Sequence, residues 1–378
     1  MAGWELIGKS ERKALVNLIS KENRILLAHG FDSIRKKYHV RDFEKLCSKK
    51  FNSKYCVCVS SGTAAIKIGL KALGVKPGDE VITQAFNFIA TIEAILDVGA
   101  KPILANIDET LNMDPDDLKK LINRKTKAII PVHMLGVPAK MEEIIKIAKQ
   151  KKIKILEDNC EAVGGLFKNK YLGTLGDIGV FSFDFGKMIT TGGEGGLVLT
   201  QNRKYFKFAK EYHDHGHESN PKYSRGNDTK SIYGFNYRMS EIQGAFGKAQ
   251  LKKLDFILND NKKKYQILNN FLKDKFHVRI APKSSTPAYD CFVFQELKIK
   301  KRKQIINILN KKGFGTKNLP DAIKWHCSYF WSHAIDKNQV KRSKKTFKIL
   351  SNQIAIPIWQ RKKIKDYKNL GKILNKLD

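Results

Sequence analysis

The chain has 378 residues, which at roughly 150 residues per domain is room for two packed domains, and it is too long for a peptide hormone, a lone DNA-binding helix bundle or a disulfide knot. Hydrophobic residues make up 42% and charged residues 29%, an ordinary globular mix without a low-complexity tract, which excludes disorder as the organising theme. Lys+Arg 71 against Asp+Glu 37 gives +34, but the lysines are scattered and interleaved with isoleucine, as at Lys152, Ile153, Lys154 and Ile155, so the charge reads as a solvated surface that suits anionic substrates rather than nucleic acid.

In chain order, the opening MAGWELIGKSERK has no apolar stretch of signal-peptide length, and nowhere do 18 apolar residues run together. The expectation is a cytoplasmic protein without membrane insertion. Residues 1–49 read as a helical arm with a loop at Gly30 and Phe31. From residue 50 to 255, short β-rich runs (YCVCVS, EVIT, KPILAN, KAIIPVHM, IKILED, IGVFSF, GLVLT) alternate with helical periodicity, which predicts a mostly parallel sheet covered on both faces. Asp114 and Pro115 supply an N-cap and a first-turn proline for one of these helices. Residues 256–378 change to basic helices and short strands (HVRIAP, CFVFQELKIK, KQIINILNKKGF), which suits a smaller α+β domain. The six cysteines contain no C-x-x-C pair and read as reduced, mostly buried thiols, with Cys56 and Cys58 on one face of a strand; no metal site is expected.

Three loops follow the carboxyl ends of predicted strands, where open α/β sheets hold their ligands. Ser60-Ser61-Gly62-Thr63-Ala64-Ala65 reads either as a phosphate cradle at a helix start or as a plain serine N-cap. Glu157-Asp158-Asn159-Cys160-Glu161 offers a carboxylate for a base, a metal or a protonated heterocycle, or else a cap. In Phe181 to Gly196 a lysine, Lys187, leaves an aromatic strand into a glycine-rich turn, where burial and neighbouring cations are expected to lower its pKa as a Schiff-base amine requires. Cradle, acid, and 29 residues after Asp158 a pocket lysine is the order expected of a pyridoxal phosphate site, with the acid facing the pyridine nitrogen.

Together with GDEVIT, FNFIATIEAI, PVHMLG, EDNCEA, LGDIGVFSF, KMITTGGEGG, HDHG and GFNYRMSEIQGAFGKAQL, these motifs run from about Gly3 to Asp255, and the chain resembles the sugar aminotransferases of the DegT/DnrJ/StrS family. The resemblance implies an α/β fold of the type I pyridoxal phosphate, aspartate aminotransferase-like class, with a mixed, mostly parallel central sheet and a smaller α+β C-terminal domain. It implies that Lys187 carries the Schiff base and that Asp158 pairs with the pyridinium nitrogen. Ser61 lies in the cradle, Gly62, Thr63 and Ser182 match phosphate contacts, and Phe88 matches the aromatic residue lying against the cofactor ring. Asn236 matches the asparagine that reaches the phosphate from the neighbouring subunit, which makes the expected assembly a homodimer with shared active sites. L-Glutamate is the implied amino donor and a ketosugar the acceptor.

Two departures stand out. Glu161 falls where the family usually has glutamine near the cofactor's phenolic oxygen, and the glycine turn after Lys187 is one residue longer than the common spelling. The spellings FNFIATIEAI, FSFDFGK, HDHGHE and LPDAIKWHCSYFW are similar to the branch that aminates position 8 of a keto-octulosonate for lipopolysaccharide; a nucleotide-linked 4-keto-6-deoxyhexose is the other acceptor. Leu319 to Trp331, with His326, reads as acceptor pocket or as small-domain core, His213 and His215 as pocket or loop residues, and His133 as a core or a site histidine. Rival readings are a sugar dehydratase of the same fold, in which histidine replaces the lysine, and a non-catalytic basic binding protein; Lys187 with Asp158 argues against both.

Overall fold

The computed structural model describes residues 3–21, 25–30 and 35–377. The arm contains α1 (Lys9–Lys21) and α2 (His39–Phe51). Of the loop expected between them, Gly30 has a left-handed φ of 78°, and Phe31 lies outside the described residues. Val40, Phe43, Cys47 and Phe51 recur at helical spacing along α2, and the stripe is buried, with the Phe43 and Phe51 rings packing on Phe183 and Phe181.

The following strands and helices alternate as β1 (Tyr55–Val59), α3 (Gly62–Ala72), β2 (Glu80–Gln84), α4 (Ala90–Asp97), β3 (Lys101–Ala105), α5 (Pro115–Leu121), β4 (Thr126–Ile130), α6 (Met141–Lys151) and β5 (Lys154–Asp158). A two-residue hairpin, β6 (Leu166–Phe167) and β7 (Lys170–Tyr171), precedes β8 (Ile178–Ser182), β9 (Gly196–Thr200), α7 (Arg203–Tyr212), α8 (Glu241–Leu251) and α9 (Leu254–Leu272). Seven strands form one sheet in the order β1-β9-β8-β5-β4-β2-β3, and only β9 runs against its neighbours. The carboxyl ends of β1, β5 and β8 therefore emerge along the same rim. Both sheet faces are covered, as a nearly all-apolar parallel strand requires. Along β1, Val57 and Val59 enter one core with Ile66, Leu70 and Val180, while Cys56 and Cys58 enter the other with Phe181, Leu197 and Leu199. Pro102 is accommodated because β3 is an edge strand. Asp114 caps α5 by accepting from the Asp116 amide at 2.9 Å, with Pro115 in the first turn.

The remainder comprises β10 (His277–Val278), β11 (Ser285–Thr286), β12 (Cys291–Gln295), α10 (Ile299–Lys311), α11 (Ile323–His326), α12 (Lys337–Arg342), α13 (Lys344–Leu350), β13 (Gln353–Pro357) and α14 (Ile364–Asn375). Strands β10, β12 and β13 form an antiparallel sheet over a core of Phe292, Phe294, Ile354, Ile356 and Tyr367. The short strand read in CFVFQELKIK stops at Gln295: the Glu296 carboxylate accepts from the Lys298 amide at 2.8 Å, turning the chain so that Ile299 and Lys300 open α10. Helix α9 runs through the junction at 255/256 without a break. The carboxy-terminal third also leans on the large sheet. β11 pairs with β6, Arg342 meets Asp117 at 2.5 Å, and Trp331 is buried among Ile89, Ile92 and Leu104. Among the described residues, no helix is long and apolar enough to cross a membrane, the six cysteines are free, and no group of three His, Cys, Asp or Glu side chains is arranged to hold a metal.

Candidate active site

The rim begins at the start of α3. Ser61 accepts from the Ala64 amide at 3.1 Å, so the N-cap reading holds, and because its hydroxyl proton remains free the cap does not compete with anion binding. A Cβ on Gly62 would sit 2.8 Å from Ser182 Cβ and 3.4 Å from Cys160 Sγ, so only glycine lets the α3 amides come this close to the ends of β5 and β8. Ser182 is buried, its oxygen accepting from the Asp184 amide at 3.3 Å. Thr63 is exposed at the helix start. A cavity of about 690 Å³ opens here between Ser61, Thr63, Lys67, Glu93, Asp97 and Tyr237. Amide groups at the positive end of an eleven-residue helix, with two hydroxyls beside them, are the donor set a phosphate needs.

Asp158 ends β5, 2% exposed, and its two carboxylate oxygens are separately held: Thr91 Oγ1 lies 3.1 Å from Oδ2, and the Cys160 amide donates to Oδ1 at 3.1 Å. Thr91 also contacts Asn87 Oδ1 at 3.1 Å, which in turn accepts from the Phe88 amide at 2.7 Å. The FNFIAT stretch thus locks the acid and the aromatic residue into one unit. The Phe88 ring is 43% exposed and lies 5.4 Å from the His326 ring.

Lys187 follows β8 in a turn tied at both ends, Phe183 donating to the Gly195 carbonyl and Thr191 to that of Phe183. The longer glycine run is absorbed by Gly192 at φ 96° and Gly193 at φ 147°, conformations that glycine adopts without strain. The Lys187 amine lies 3.6 Å from Glu161 Oε1, with 21% of the lysine side chain and 7% of the glutamate side chain exposed. Here the expectation of a lowered lysine pKa is overturned. Burial does push the amine down, but the Glu161 carboxylate, aided by Cys160 and Asp184, outweighs it and raises the pKa above the ordinary lysine value. Burial likewise disfavours charge on Glu161, yet Lys187, Lys317 and His326 together hold its carboxyl well below the usual range. Glu161 is therefore a carboxylate, not the neutral acid that would mimic glutamine.

Other candidates separate from this cluster. Asn236 is exposed on the segment bridging Asp214, next to Tyr237, whose carbonyl accepts from the Ser60 amide at 2.8 Å. His213 is buried and lines a different cavity of about 900 Å³ along the β1 edge with His29 and Arg225, while His215 is exposed with φ 53°. His133 belongs to the core: its Nδ1 accepts from the Ala139 amide at 3.1 Å and its Nε2 meets Glu157 Oε1 at 2.9 Å. The 319–331 segment divides. All three of His326, Cys327 and Trp331 are buried; His326 borders the site beside Phe88, and Trp331 packs on the large sheet rather than in small-domain core.

Sequence reasoning missed Asn87 and Thr91, whose i,i+4 spacing at a helix start was a usable signal, and it missed Lys317, Asp290 and Arg279. Lys317 is buried in an ion pair with Asp290 beside Glu161. Among 71 lysines and arginines nothing local distinguishes it.

A model of the DegT/DnrJ/EryC1/StrS aminotransferase family matches residues 21–375. A GDP-perosamine synthase of Escherichia coli O157:H7 is 39% identical over 218 residues, 57% of this chain and 58% of that protein. A 3-oxo-glucose-6-phosphate:glutamate aminotransferase of Bacillus subtilis is 36% identical over 248 residues, 64% of this chain and 52% of that protein. The matches thus span little more than half the length of these relatives. The solved structure of an E. coli GDP-4-keto-6-deoxy-D-mannose-3-dehydratase with bound hydrated PLP shares 26% identity and a TM-score of 0.81, covering 98% of this chain and 97% of that one. The fold is the type I aminotransferase architecture, with its mixed sheet mostly parallel.

Proposed function

Because the chain belongs to the DegT/DnrJ/EryC1/StrS aminotransferase family, we propose that it is a pyridoxal phosphate-dependent sugar aminotransferase, moving an amino group from L-glutamate to a ketosugar for surface-polysaccharide or lipopolysaccharide biosynthesis. The observation that carries this reading is the Lys187 amine, partly open at the end of β8 on the rim that also presents Asp158. The residues fit the cofactor, since the glycine-cleared α3 start suits its phosphate, the buried carboxylate its ring nitrogen and the amine its aldehyde.

When bound, the cofactor supplies an aldehyde for amines and a ring that accepts the electron pair left when a proton leaves the adjacent carbon. The α3 amides and the hydroxyls of Ser61 and Ser182 bind the phosphate. Asp158, oriented by Thr91 and the Cys160 amide, keeps the ring nitrogen protonated. Phe88, partly exposed beside His326, would pack against the ring. Lys187 Nζ takes the proton from the donor's α-carbon and later returns one on the acceptor side. In this reading residues 1–49 are an arm, 50–255 the cofactor domain and 256–378 the small domain. Asn236, exposed on its strap, completes the phosphate site of a second copy in a homodimer.

The acceptor is a nucleotide-linked keto-deoxyhexose or an 8-keto-octulosonate; either is an anion suited to a chain of charge +34. The dehydratase neighbour favours a second reading, sugar 3-dehydration, and Lys187 weighs against it. The test is incubation with pyridoxal phosphate, L-glutamate and a panel of ketosugars, followed by absorbance and product mass. A product that gains nitrogen supports transamination; one that loses a ring hydroxyl as water without gaining nitrogen refutes it.

A further inference from the structure

Beyond the place beside the cofactor's phenolic oxygen that the family resemblance implies, the proposed chemistry gives Glu161 no task, although its carboxylate is the nearest acid to the Lys187 amine. We infer that Glu161 is the counter-ion of Lys187, and that Arg279, from the carboxy-terminal third, is a positioning residue that holds it there through the turn 134–136. The inference rests on the reading of Lys187 as the transaminating amine, and it concerns the charge pair of the cofactor-free chain.

Glu161 Oε1 faces Lys187 Nζ at 3.6 Å, and Oε2 accepts from the Leu135 amide at 3.1 Å. Leu135 is in the left-handed region, φ 51° and ψ 40°, which a leucine keeps only when its surroundings enforce it. Asn112 Oδ1 accepts from the Met134 amide at 3.0 Å, and the turn's carbonyls are held from beyond residue 278. Arg279 donates to the Met134 carbonyl at 3.0 Å and to the Thr110 carbonyl at 2.6 Å, Cys291 Sγ approaches the Leu135 carbonyl at 3.7 Å, and the Ala288 amide donates to Gly136 at 2.8 Å. Three consecutive carbonyls are thus held from the same side, which aims the Leu135 N–H at Glu161. Arg279 is buried, so its guanidinium has no alternative partner in water.

Cys160, Asp184 and Glu194 near the large-sheet rim also face this pair, Asp158 lies beside Cys160, and the Asn318 side-chain amide donates to Glu161 Oε1 at 3.4 Å. From the far side come Lys317 with its partner Asp290, then Cys291 and His326. Lys317 opposes Lys187 and supports Glu161; Asp290 neutralises much of it, leaving Glu161 as the leading influence on the amine after burial.

The measurement is the pH midpoint at which Lys187 becomes reactive toward an acylating reagent in the cofactor-free full chain, quantified by peptide mass spectrometry. Wild type is expected to titrate above an ordinary lysine. Glu161→Gln removes an opposite charge 3.6 Å from the amine and should lower the midpoint by about 1–3 pH units. Arg279→Met should lower it by a smaller amount, Arg279→Lys should recover part of that, and Arg279→Met should add nothing in the Glu161→Gln background. A midpoint unmoved by Glu161→Gln, or an Arg279→Met effect undiminished in that background, overturns the inference. Borohydride reduction of the wild type with pyridoxal phosphate separates the two readings. Failure to label Lys187 sinks the transaminase assignment, whereas labelling without the pH shift sinks the counter-ion alone.

Discussion

The rim at the ends of β1, β5 and β8 and the carboxy-terminal segment 279–331 both face Lys187, yet they reach it by different means. On the rim, each functional side chain sits within a few residues of a strand end, so its direction follows from the strand it leaves: Asp158 closes β5 and Ser61 opens α3. In the other region, Arg279 just past β10, Lys317 in a loop and His326 on a one-turn helix are aimed by what they pack against. The contrast teaches that the reacting groups are fixed locally while the electrostatics around them is set from a distance.

The sharpest way to break this comparison is to remove the amine. Lys187→Ala should abolish borohydride-stable attachment of pyridoxal phosphate and lower turnover on the order of 10⁴-fold, combining lost nucleophile and lost proton carrier. Lys168→Ala, which disrupts a surface contact with Glu142 at 2.7 Å and one with the Phe167 ring, should retain both; equal losses in the two variants would move the chemistry elsewhere. Next in size is Asp158→Asn, which keeps the shape of the Thr91 contact but not the charge. It should cost about 10²–10³-fold in turnover, measured with the glutamate half-reaction, at nearly unchanged thermal stability.

Gly62→Ala tests the close approach at the cradle. Its Cβ meets Ser182 Cβ at 2.8 Å, so about 1–3 kcal/mol of stability should be lost in urea, together with weaker cofactor retention. An alanine variant as stable and as yellow as wild type would refute the tight cradle.

The last prediction uses the other charged neighbourhood as a control. At Lys187 a carboxylate overrides burial; at the His29–His213 pair, whose rings meet edge-on at 5.5 Å, burial prevails. It lowers His29 to about 3, assisted by the His213 charge, and lowers His213 to about 4 against the pull of Asp214. Both rings are neutral in the folded chain, whereas the unfolded chain takes up protons below about 6.5. Their contribution is complete above that pH and declines as the pH falls through the folded-state values, by on the order of 2 kcal/mol for each ring at pH 5. Urea midpoints at pH 7.5 and pH 5 should differ accordingly, and less so in His29→Asn; a pH-independent midpoint would contradict the neutral pair.

Much of the fold was legible because its pattern is local. Alternating β-rich runs and helical stripes gave the strands of the sheet, and Asp114-Pro115 gave a helix start. The Ser61 motif offered two readings that turn out to be compatible, since a hydroxyl can accept from an amide and still donate. The short strand in CFVFQELKIK ends at Gln295 for a local reason too, the Glu296 side chain turning the backbone at Lys298. The charge state of Lys187 failed for a non-local one: whether burial or an opposite charge wins depends on a distance across two loops, from residue 161 to residue 187.

The sequence by itself determined the alternating sheet, the rim of glycine, acid and amine, and the family to which they belong, because strand period and turn chemistry operate over a few residues. Tertiary structure alone decided that Glu161 is ionised against Lys187, that Arg279 pins the turn beside it, and that Trp331 serves the large sheet. Coulombic and packing energies depend on separations in space, and folding brings together residues more than a hundred positions apart.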